Sequence, residues 1–226
     1  MSEIFERTEL VLGKDALERL SNSRVIVFGV GGVGGHLVEA LVRSGVGHIT
    51  IVDYDVVEKT NINRQLVALH STLGQSKVEV LKNRLLDINP EVEVNAINKF
   101  YLLENEDQFD LTGYDYIVDA VDNMSAKISL VLRANKENIP IISAMGAGNK
   151  VNPTMLEVSD IYKTSVDPLA KILRHELKKL GIKHLKVVYS NEEPIKNKSR
   201  TPGSTSFVPS CMGLIIASEV IKDLIK

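Results

Sequence analysis

The chain has 226 residues, 44% of them hydrophobic and 25% charged, which is typical of a globular protein with one substantial core. Its formal net charge of −2 excludes nucleic-acid binding through the overall field, so any such contact needs a local basic patch. The single cysteine, Cys211, excludes an internal disulfide and a cysteine-rich zinc site, and we expect a reducing, cytoplasmic setting.

Strand-like and helix-like segments alternate through the first 150 residues. Short apolar runs predict buried strands, and apolar residues three or four positions apart predict amphipathic helices. The predicted strands lie at 24–28, 48–53, 92–97, 114–121 and 140–145. The predicted helices lie at 33–44, 76–88 and 125–138. This alternation predicts an α/β fold with a doubly wound, Rossmann-like, mostly parallel sheet.

The pattern changes after residue 150. Further strands are predicted at 155–161, expected to be antiparallel, and at 186–189. A helix is predicted at 167–180, with its buried face formed by Leu169, Ile172, Leu173, Leu177 and Leu180. The polar, basic residues 191–206 predict a mobile loop. We therefore expect a core over residues 1–150 and an extension over residues 151–226 that is integrated with it.

The extension ends in a predicted amphipathic helix at 208–225. Its longest apolar stretch, 212–218, is far shorter than the ~20 residues that a membrane span needs, so we expect no membrane contact. Cys211 lies at the start of this helix, where a small packing residue is its expected role.

A glycine-rich turn joins the first predicted strand to the first predicted helix. Gly29, Gly31 and Gly34 have the spacing that lets a backbone approach a phosphate and a helix pack closely on a strand, and Gly32 lies in the same turn. Asp53 follows about 20 residues later, as does the carboxylate that holds ribose hydroxyls in such folds. Together they predict a nucleotide site, with a glycine turn that binds no ligand as the plain alternative.

A cation and several amides follow the acidic end of the second strand. The segment Asp53-Tyr-Asp55 precedes Asn61-Ile-Asn63-Arg64-Gln65. The forked guanidinium of Arg64 suits bidentate phosphate binding. Lys77 begins a helix, where an ammonium opposes the helix dipole unless an anion lies near; the alternative is a solvated surface lysine. A dinucleotide oxidoreductase has little use for these cations. An enzyme that catalyses attack on the α-phosphate of ATP needs them to bind the phosphates.

Two polar residues, Asp122 and Asn123, follow the fourth predicted strand. Strand ends of this kind line the ligand crevice of a doubly wound sheet. A carboxylate repels phosphates unless a cation intervenes, so we predict that Asp122 binds Mg²⁺ or a water of its shell. A helix N-cap is the alternative role, which Asn123 could also fill.

These motifs together resemble the ubiquitin-activating-enzyme (ThiF/MoeB/HesA) superfamily. The matching elements are the turn 29–35, Asp53 with Asp55, Asn61 to Gln65, Gly74 with Lys77, and Asp119 with Asp122 and Asn123. The resemblance implies carboxylate adenylation, a homodimer, and ATP with Mg²⁺ bound by Asp53, Arg64, Lys77 and Asp122. It also implies an arginine donated to the partner subunit's site, for which Arg7 is the candidate.

The C-terminal third resembles one family within this superfamily, the tRNA threonylcarbamoyladenosine dehydratases. The matching segments are 145–154, 158–170 and 202–209. The resemblance implies ATP-dependent cyclisation of the threonylcarbamoyl group on the adenosine beside the anticodon. A sulfur-transfer protein is a further candidate partner. The residues predicted to contact tRNA are Lys171, Arg174, Lys178, Lys179, Lys183, Lys196, Lys198 and Arg200; a solvated basic face is the alternative.

Three other functions account for part of the sequence. An enzyme that adenylates a ubiquitin-like sulfur carrier would share the ATP site, and Cys211 could then form a thioester. An NAD-dependent oxidoreductase would use the glycines and Asp53 but not Arg64, Lys77 or Asp122. A non-catalytic tRNA-binding protein would carry a decayed nucleotide site.

Overall fold

A seven-stranded sheet forms the centre of the computed structural model, which describes residues 3–199 and 201–226. The strands are β1 (Arg24–Phe28), β2 (His48–Val52), β3 (Glu93–Ile97), β4 (Tyr116–Asp119), β5 (Ile141–Ala144), β6 (Leu156–Asp160) and β7 (Lys186–Ser190). Their order across the sheet is β3-β2-β1-β4-β5-β7-β6. Among these seven strands, only β6 and β7 pair in antiparallel fashion, which confirms the predicted fold class.

Seven α-helices accompany these strands in the described ranges. They are α1 (Glu6–Leu12), α2 (Lys14–Asn22), α3 (Gly34–Arg43), α4 (Lys77–Ile88), α5 (Met124–Glu137), α6 (Pro168–Lys179) and α7 (Phe207–Leu224). Among residues 3–199 and 201–226, no helix has the length and apolar character needed to cross a bilayer. Helices α3 to α7 lie within one or two residues of their predicted bounds, because each has a regular apolar stripe.

The order of the strands creates a crevice at one edge of the sheet. β1 lies between β2 and β4. The chain therefore builds the sheet outward on one side of β1 through β2 and β3, and then crosses to the other side of β1 to form β4. Ligands of doubly wound sheets bind at such a switch point, beyond the carboxyl ends of the strands. The glycine turn after β1, Asp53 after β2 and Asp122 after β4 therefore meet at the same edge.

Elements after residue 150 share the core of the elements before it. β7 pairs with β5, and the buried face of α7 packs against α3 in the main hydrophobic core. A side chain at Gly213 would place its Cβ 2.4 Å from the carbonyl oxygen of Val33, so glycine permits the close crossing of these two helices. α7 thereby supports the first turn of α3, next to the glycine turn.

Two helices and two side chains differ from expectation. α1 and α2 were not predicted, because their apolar residues are few; α2 buries only Ala16, Leu17 and Leu20. On α6, Ile172 and Leu180 were expected in the core but are 54% and 48% exposed. That prediction is wrong because α6 packs through a narrow stripe of Ala170, Leu173 and Leu177, and the other two side chains project beyond it.

A charged network under the sheet ties two strands to the last helix. The Tyr116 hydroxyl on β4 donates to Asp223 Oδ2 at 2.8 Å, and Lys186 Nζ on β7 lies 2.6 Å from the same oxygen. Burial acts to raise the pKa of Asp223, but hydrogen bonds from Lys186, Lys226 and Tyr116 outweigh it and lower the pKa to about 2. The ionised form of Asp223 is therefore favoured by folding.

Asp223→Asn is expected to lower the free energy of unfolding at pH 7 by about 1 kcal/mol, because solvent screening reduces the effect of the pKa change from 3.8 to about 2. A carboxylate whose pKa is depressed by folding stabilises the protein above its unfolded pKa. The stabilisation is lost as the pH falls through the folded pKa, so the difference between variant and wild type should shrink between pH 4 and pH 2. Urea unfolding across this range measures it, with exposed Asp87→Asn as the control. A constant difference down to pH 2 would contradict the prediction.

Candidate functional site

A cavity of about 420 Å³ opens at the switch point of the sheet. Small-molecule sites fall in this size range and occur at this place in α/β folds. Of the residues predicted to bind a nucleotide, those that line the cavity are Gly29, Gly31, Gly32, Asp53, Asp55, Arg64, Gln65, Lys77, Asp122 and Asn123. Gly34, Asn61 and Asn63 do not line it; they shape the segments that do.

The glycine turn divides into packing and ligand-facing positions. A Cβ at Gly34 would lie 1.8 Å from the carbonyl oxygen of Gly29, and a Cβ at Gly29, where φ is +87°, would lie 2.7 Å from that of Ala120. These two glycines allow α3 and the loop after β4 to approach the turn. Gly31 and Gly32 face the cavity beside the N-terminus of α3, a place where free N–H groups bind anions.

Asp53 holds the glycine turn in place from the end of β2. Its Oδ2 accepts a hydrogen bond from the Val30 backbone N–H at 2.8 Å, and its Oδ1 accepts one from the Asp55 N–H at 2.9 Å. The carboxylate also lines the cavity, and each oxygen has lone pairs beyond those that the backbone uses. Asp53 therefore orients the turn as well as presenting an acceptor to the cavity.

Lys77 is buried at the start of α4. Its side chain is 5% exposed, and its Nζ lies 2.6 Å from Asp55 Oδ2. A second contact, from the Lys77 backbone N–H to the Asp55 carbonyl at 3.0 Å, fixes the helix start against the end of β2. The alternative of a solvated surface lysine is therefore wrong. The ammonium is held at the cavity wall by a carboxylate that is itself partly exposed.

Arg64 is positioned by the tight turn that Asn61 begins. The Asn61 carbonyl accepts backbone hydrogen bonds from Arg64 at 3.0 Å and from Gln65 at 2.9 Å. One guanidinium nitrogen, Nη1, donates to the Thr60 carbonyl and to Asn63 Oδ1, both at 2.9 Å. The other guanidinium N–H groups make no hydrogen bond within residues 3–199 and 201–226, so they are available to an anion.

Gln65 presents a buried amide to the cavity. Its Oε1 has no hydrogen-bond partner among the described residues, although the side chain lies below the surface. A buried polar atom without a partner requires an explanation, since leaving one unpaired is costly. A ligand donor in the cavity would supply the missing hydrogen bond.

Asp122 and Asn123 have different environments after β4. Asn123 Oδ1 accepts a hydrogen bond from the Ala126 N–H at 3.0 Å, so it is the N-cap of α5. Asp122 is exposed at the cavity, and its carboxylate makes no hydrogen bond or ion pair in the described ranges. The loop itself is set by Asp119, which is buried and paired with Lys127 Nζ at 3.0 Å.

Several parts of the cavity wall were not predicted. Lys99, Phe100 and Tyr101 follow β3, and the ring of Phe100 packs edge-on against Tyr54 with centroids 4.2 Å apart. Residues 201–204 and Pro209 form another part of the wall. For Lys99 to Tyr101, the one feature of the sequence that could have indicated this role is their place directly after a strand that ends at the same edge.

Arg7 and Cys211 lie outside the cavity wall. Arg7 is on α1 and exposed, and it is not among the residues that line this cavity. Cys211 is half-buried in α7 and packs against the main core.

The basic residues predicted to contact tRNA are only partly presented to solvent. Lys171, Lys178, Lys183, Lys196 and Lys198 are exposed. Lys179 forms an ion pair with Glu176 at 2.8 Å and remains largely exposed. The Arg174 guanidinium instead donates to the Thr164 carbonyl at 2.8 Å and the Thr164 hydroxyl at 2.6 Å, so it is engaged within the protein. Arg200 lies outside the described residues.

A glycine turn, carboxylates and two cations at the switch point of a doubly wound sheet define a nucleotide-binding α/β protein. The ThiF family model matches residues 5–226, and the chain belongs to the ThiF family. It is 48% identical to the tRNA threonylcarbamoyladenosine dehydratase of Bacillus subtilis (strain 168), in an alignment that covers 98% of this chain and 94% of that protein.

The fold is similar to crystal structures of the Escherichia coli tRNA N6-threonylcarbamoyladenosine dehydratase. The complex of that enzyme with ATP has a TM-score of 0.92 and 34% identity, covering 98% of this chain and 93% of the other. The complex with AMP has a TM-score of 0.92 and 34% identity, covering 99% of this chain and 96% of the other. The similarity therefore extends through the C-terminal extension as well as the nucleotide core.

Proposed function

We propose that the chain is an ATP-dependent tRNA threonylcarbamoyladenosine dehydratase of the cytoplasm. The observation that carries this function is the similarity to the Bacillus subtilis enzyme over 94% of that enzyme's length, at 48% identity. Both the cavity at the switch point and the extension after residue 150 are included in that match. An NAD-dependent oxidoreductase would leave Arg64, Lys77 and Asp122 without a role.

The reaction makes a poor electrophile reactive. A carboxylate oxygen of the threonylcarbamoyl group attacks the α-phosphate of ATP, and pyrophosphate leaves. A nitrogen of the same group then attacks the acyl carbon, loses its proton, closes the ring and releases AMP. Because the substrate supplies both the carboxylate and the nucleophile, the enzyme has to align them with ATP and stabilise the departing charge.

The cavity residues divide these tasks. The glycine turn and the N-terminus of α3 would bind phosphate oxygens, and Asp53 would accept hydrogen bonds from the ribose hydroxyls. Arg64 and Lys77 would bind the β- and γ-phosphates. Asp55 Oδ2 lies 2.6 Å from Lys77 Nζ, so a triphosphate bound by this ammonium would share or replace that contact. Gln65 would pair its free oxygen with a nucleotide donor.

Asp122 fits a role in holding Mg²⁺. Magnesium in nucleotide sites typically takes one or two carboxylates, with phosphate oxygens and water as its other ligands. The Asp122 carboxylate is exposed at the cavity and free of partners among the described residues, which matches that donor set. When bound, the ion would neutralise charge on the phosphates, and Asp122 would fix its position.

Mass spectrometry of tRNA nucleosides tests the function directly. tRNA that carries threonylcarbamoyladenosine is incubated with the protein, with and without ATP, and digested. We expect a nucleoside lighter by one water only when both protein and ATP are present, with AMP and pyrophosphate in equal amounts. No dehydrated product, together with pyrophosphate exchange that requires an added sulfur-carrier protein, would instead assign the chain to carrier adenylation.

The C-terminal lysines would contact the tRNA away from the cavity. α6 starts near Gly146, beside the cavity wall, and its 12 residues span about 18 Å. Lys178, Lys179 and Lys183 lie at its far end, a distance that suits contact with phosphates flanking a nucleotide held in the cavity. A sulfur-transfer protein remains a further candidate partner of the protein.

Replacing Lys178, Lys179 and Lys183 together by glutamine should flatten the salt dependence of tRNA binding. Each neutralised phosphate contributes about 0.7–0.9 to the slope of log K against log salt, so the slope should fall by roughly 2. Fluorescence anisotropy over a salt series measures it. Lys14, Lys136 and Lys222 are a matched control set, because Lys222 pairs with Glu219 at 2.8 Å as Lys179 pairs with Glu176. Equal slopes in both variants would place the tRNA contact elsewhere.

The exposed face of α1 supports a homodimer in which Arg7 reaches the partner's cavity. Leu10 and Val11 on this helix are 87% and 82% exposed, which is unusual for adjacent apolar residues on a short helix. Arg7 lies one turn before them. A second copy of the chain covering this face would bury the apolar pair and bring Arg7 toward another active site.

Mixing two inactive variants tests this arrangement. Arg7→Ala and Arg64→Ala should each be inactive alone, but a mixed dimer would contain one site with an intact Arg64 and a donated Arg7. Random pairing of equal amounts should restore about a quarter of wild-type ATP turnover, since half of the dimers are mixed and each has one complete site. Absence of recovery after confirmed subunit exchange would rule out donation by Arg7.

A further inference from the structure

The turn after β5 carries two residues that the proposed reaction does not use. Asn149 and Lys150 do not line the cavity, although the preceding Ala147 and Gly148 do. Lys150 is buried, and Asn149 has a left-handed backbone with φ of 58°. Both side chains make specific polar contacts, so their effect on the cavity can be followed through those contacts.

Lys150 anchors the turn from beneath. Its Nζ lies 2.6 Å from Asp167 Oδ2 and donates to the Gly146 carbonyl at 2.7 Å. The other Asp167 oxygen accepts a hydrogen bond from the Ala170 N–H at 2.9 Å and caps α6. A buried ion pair contributes little net stability, because desolvation offsets the attraction, but it selects one arrangement of the groups it joins. Here it fixes the turn 146–150 relative to α6.

The backbone of Val166, the residue before Asp167, indicates that surrounding contacts hold this turn in one conformation. Val166 has φ of 60°, which is strained for a β-branched side chain. Strain of this kind persists only where surrounding contacts impose it. On the other side of Val166, the Ser165 hydroxyl donates to Asn191 Oδ1 at 2.9 Å, at the start of the polar segment 191–206. The ion pair and the polar segment are thus held by the same turn.

Asn149 makes four hydrogen bonds to the polar segment. Its backbone N–H donates to the Gly203 carbonyl and its carbonyl accepts from the Ile195 N–H, both at 2.8 Å. Its Oδ1 accepts from the Gly203 N–H and from Asn197 Nδ2, both at 2.7 Å. Residues 191–199 and 201–206, the described part of this segment, form no helix or strand, so these bonds substitute for regular structure. Asn149 therefore defines where residues 201–204 lie.

Residues 201–204 border the end of the cavity that faces Arg64. The Ser204 carbonyl accepts from Asn63 Nδ2 at 3.0 Å, and Asn63 also binds Arg64. Pro209 lies beside Gly32, with its Cβ 3.3 Å from the place of a Gly32 Cβ. The aromatic pair Tyr54 and Phe100 lines a different part of the wall. The segment held by Asn149 thus belongs to the phosphate end.

We propose that Asn149 is a positioning residue for the second substrate: it holds residues 201–204 as the wall that aligns the threonylcarbamoyl carboxylate with the α-phosphate. This inference rests on the proposed function. In the proposed function ATP would be bound by the glycine turn, Arg64 and Lys77, and the hydrogen bonds of Asn149 go to none of these residues. Loss of the Asn149 side chain should therefore slow the adenylation of tRNA without weakening the binding of ATP.

Asn149→Gly tests this proposal, because glycine adopts φ of 58° without strain and removes only the side chain. We expect the Kd for ATP to stay within about twofold of wild type, while kcat for tRNA-dependent AMP formation falls about tenfold, as misalignment of reactants does. Asn149→Asp should restore kcat, because aspartate tolerates the same backbone and keeps oxygen acceptors for Asn197 and Gly203.

Asn138→Gly is the matched control. Asn138 has φ of 55°, is exposed at the end of α5, and makes no side-chain hydrogen bond among the described residues. The proposal is overturned if Asn149→Gly is as active as Asn138→Gly, or if its whole defect is a weaker Kd for ATP. Should Asn149→Gly fail to fold, Asn197→Ala removes one of the four bonds and should lower kcat about threefold; an unchanged kcat would overturn the proposal. Failure of the proposed function itself would differ, since the wild type would then form no AMP with tRNA.

Discussion

Arg64→Ala is expected to lower ATP turnover by at least about a hundredfold while leaving the fold intact. The guanidinium is held by Thr60 and Asn63 through a single nitrogen, which leaves its other donors to face the cavity. In the transition state, charge accumulates on the departing pyrophosphate, and a preorganised cation stabilises it more than it stabilises bound ATP. AMP formation in the presence of substrate tRNA measures the loss, and circular dichroism with thermal melting checks the fold.

The best control for this substitution is Arg43→Ala. Arg43 lies on α3, and its ion pair with Glu39 at 2.8 Å is at the surface. Such a pair contributes at most about 1 kcal/mol to stability and nothing to the cavity. Normal turnover by Arg64→Ala, or an equal loss in both variants, would remove Arg64 from the active site.

Asp122→Asn should separate magnesium-dependent turnover from nucleotide binding. The substitution keeps the shape of the side chain and removes its charge. If Asp122 holds Mg²⁺, turnover should fall about a hundredfold at moderate magnesium concentration, because the ion loses its protein carboxylate. Without magnesium the substitution should have the opposite effect and favour the nucleotide. The variant should then bind ATP more tightly than wild type, because it lacks the carboxylate that repels the phosphates.

Isothermal titration with ATP, with and without magnesium, measures both halves of this prediction. Asp107→Asn is the control, since Asp107 is exposed in a short helical turn away from the cavity wall. Weaker ATP binding by Asp122→Asn in the absence of magnesium would contradict the proposed role, because it would mean that Asp122 contacts the nucleotide directly.

The sheet and most of the helices could be predicted because their periodicity is local. A buried strand such as residues 116–119 is apolar up to its last residue, and the stripe of α4 repeats every three or four residues. The glycine turn, Arg64, Lys77 and Asp122 could be placed together for a related reason. Each follows a strand or begins a helix, and a doubly wound topology brings those positions to one edge.

The rest of the site depends on contacts between distant parts of the chain. Nothing near Asn149 in the sequence shows that it binds Gly203, and nothing near Lys150 shows that it pairs with Asp167. The apolar pattern of α6 likewise could not show that Ile172 would lie outside the packed stripe, because the width of the stripe depends on the neighbouring elements. These features arise from tertiary packing, which overrides local preference.

The close crossing of α7 over α3 makes the phosphate end of the cavity sensitive to a residue that no ligand touches. Any side chain at Gly213 would push against Val33, the residue immediately before α3 and within the first turn after the glycine loop. A saturation library should therefore find position 213 as intolerant as Gly29 or Gly34. Alanine at position 213 should weaken nucleotide binding while most of the protein is still folded. A substitution in the last helix would therefore act as a defect of substrate activation.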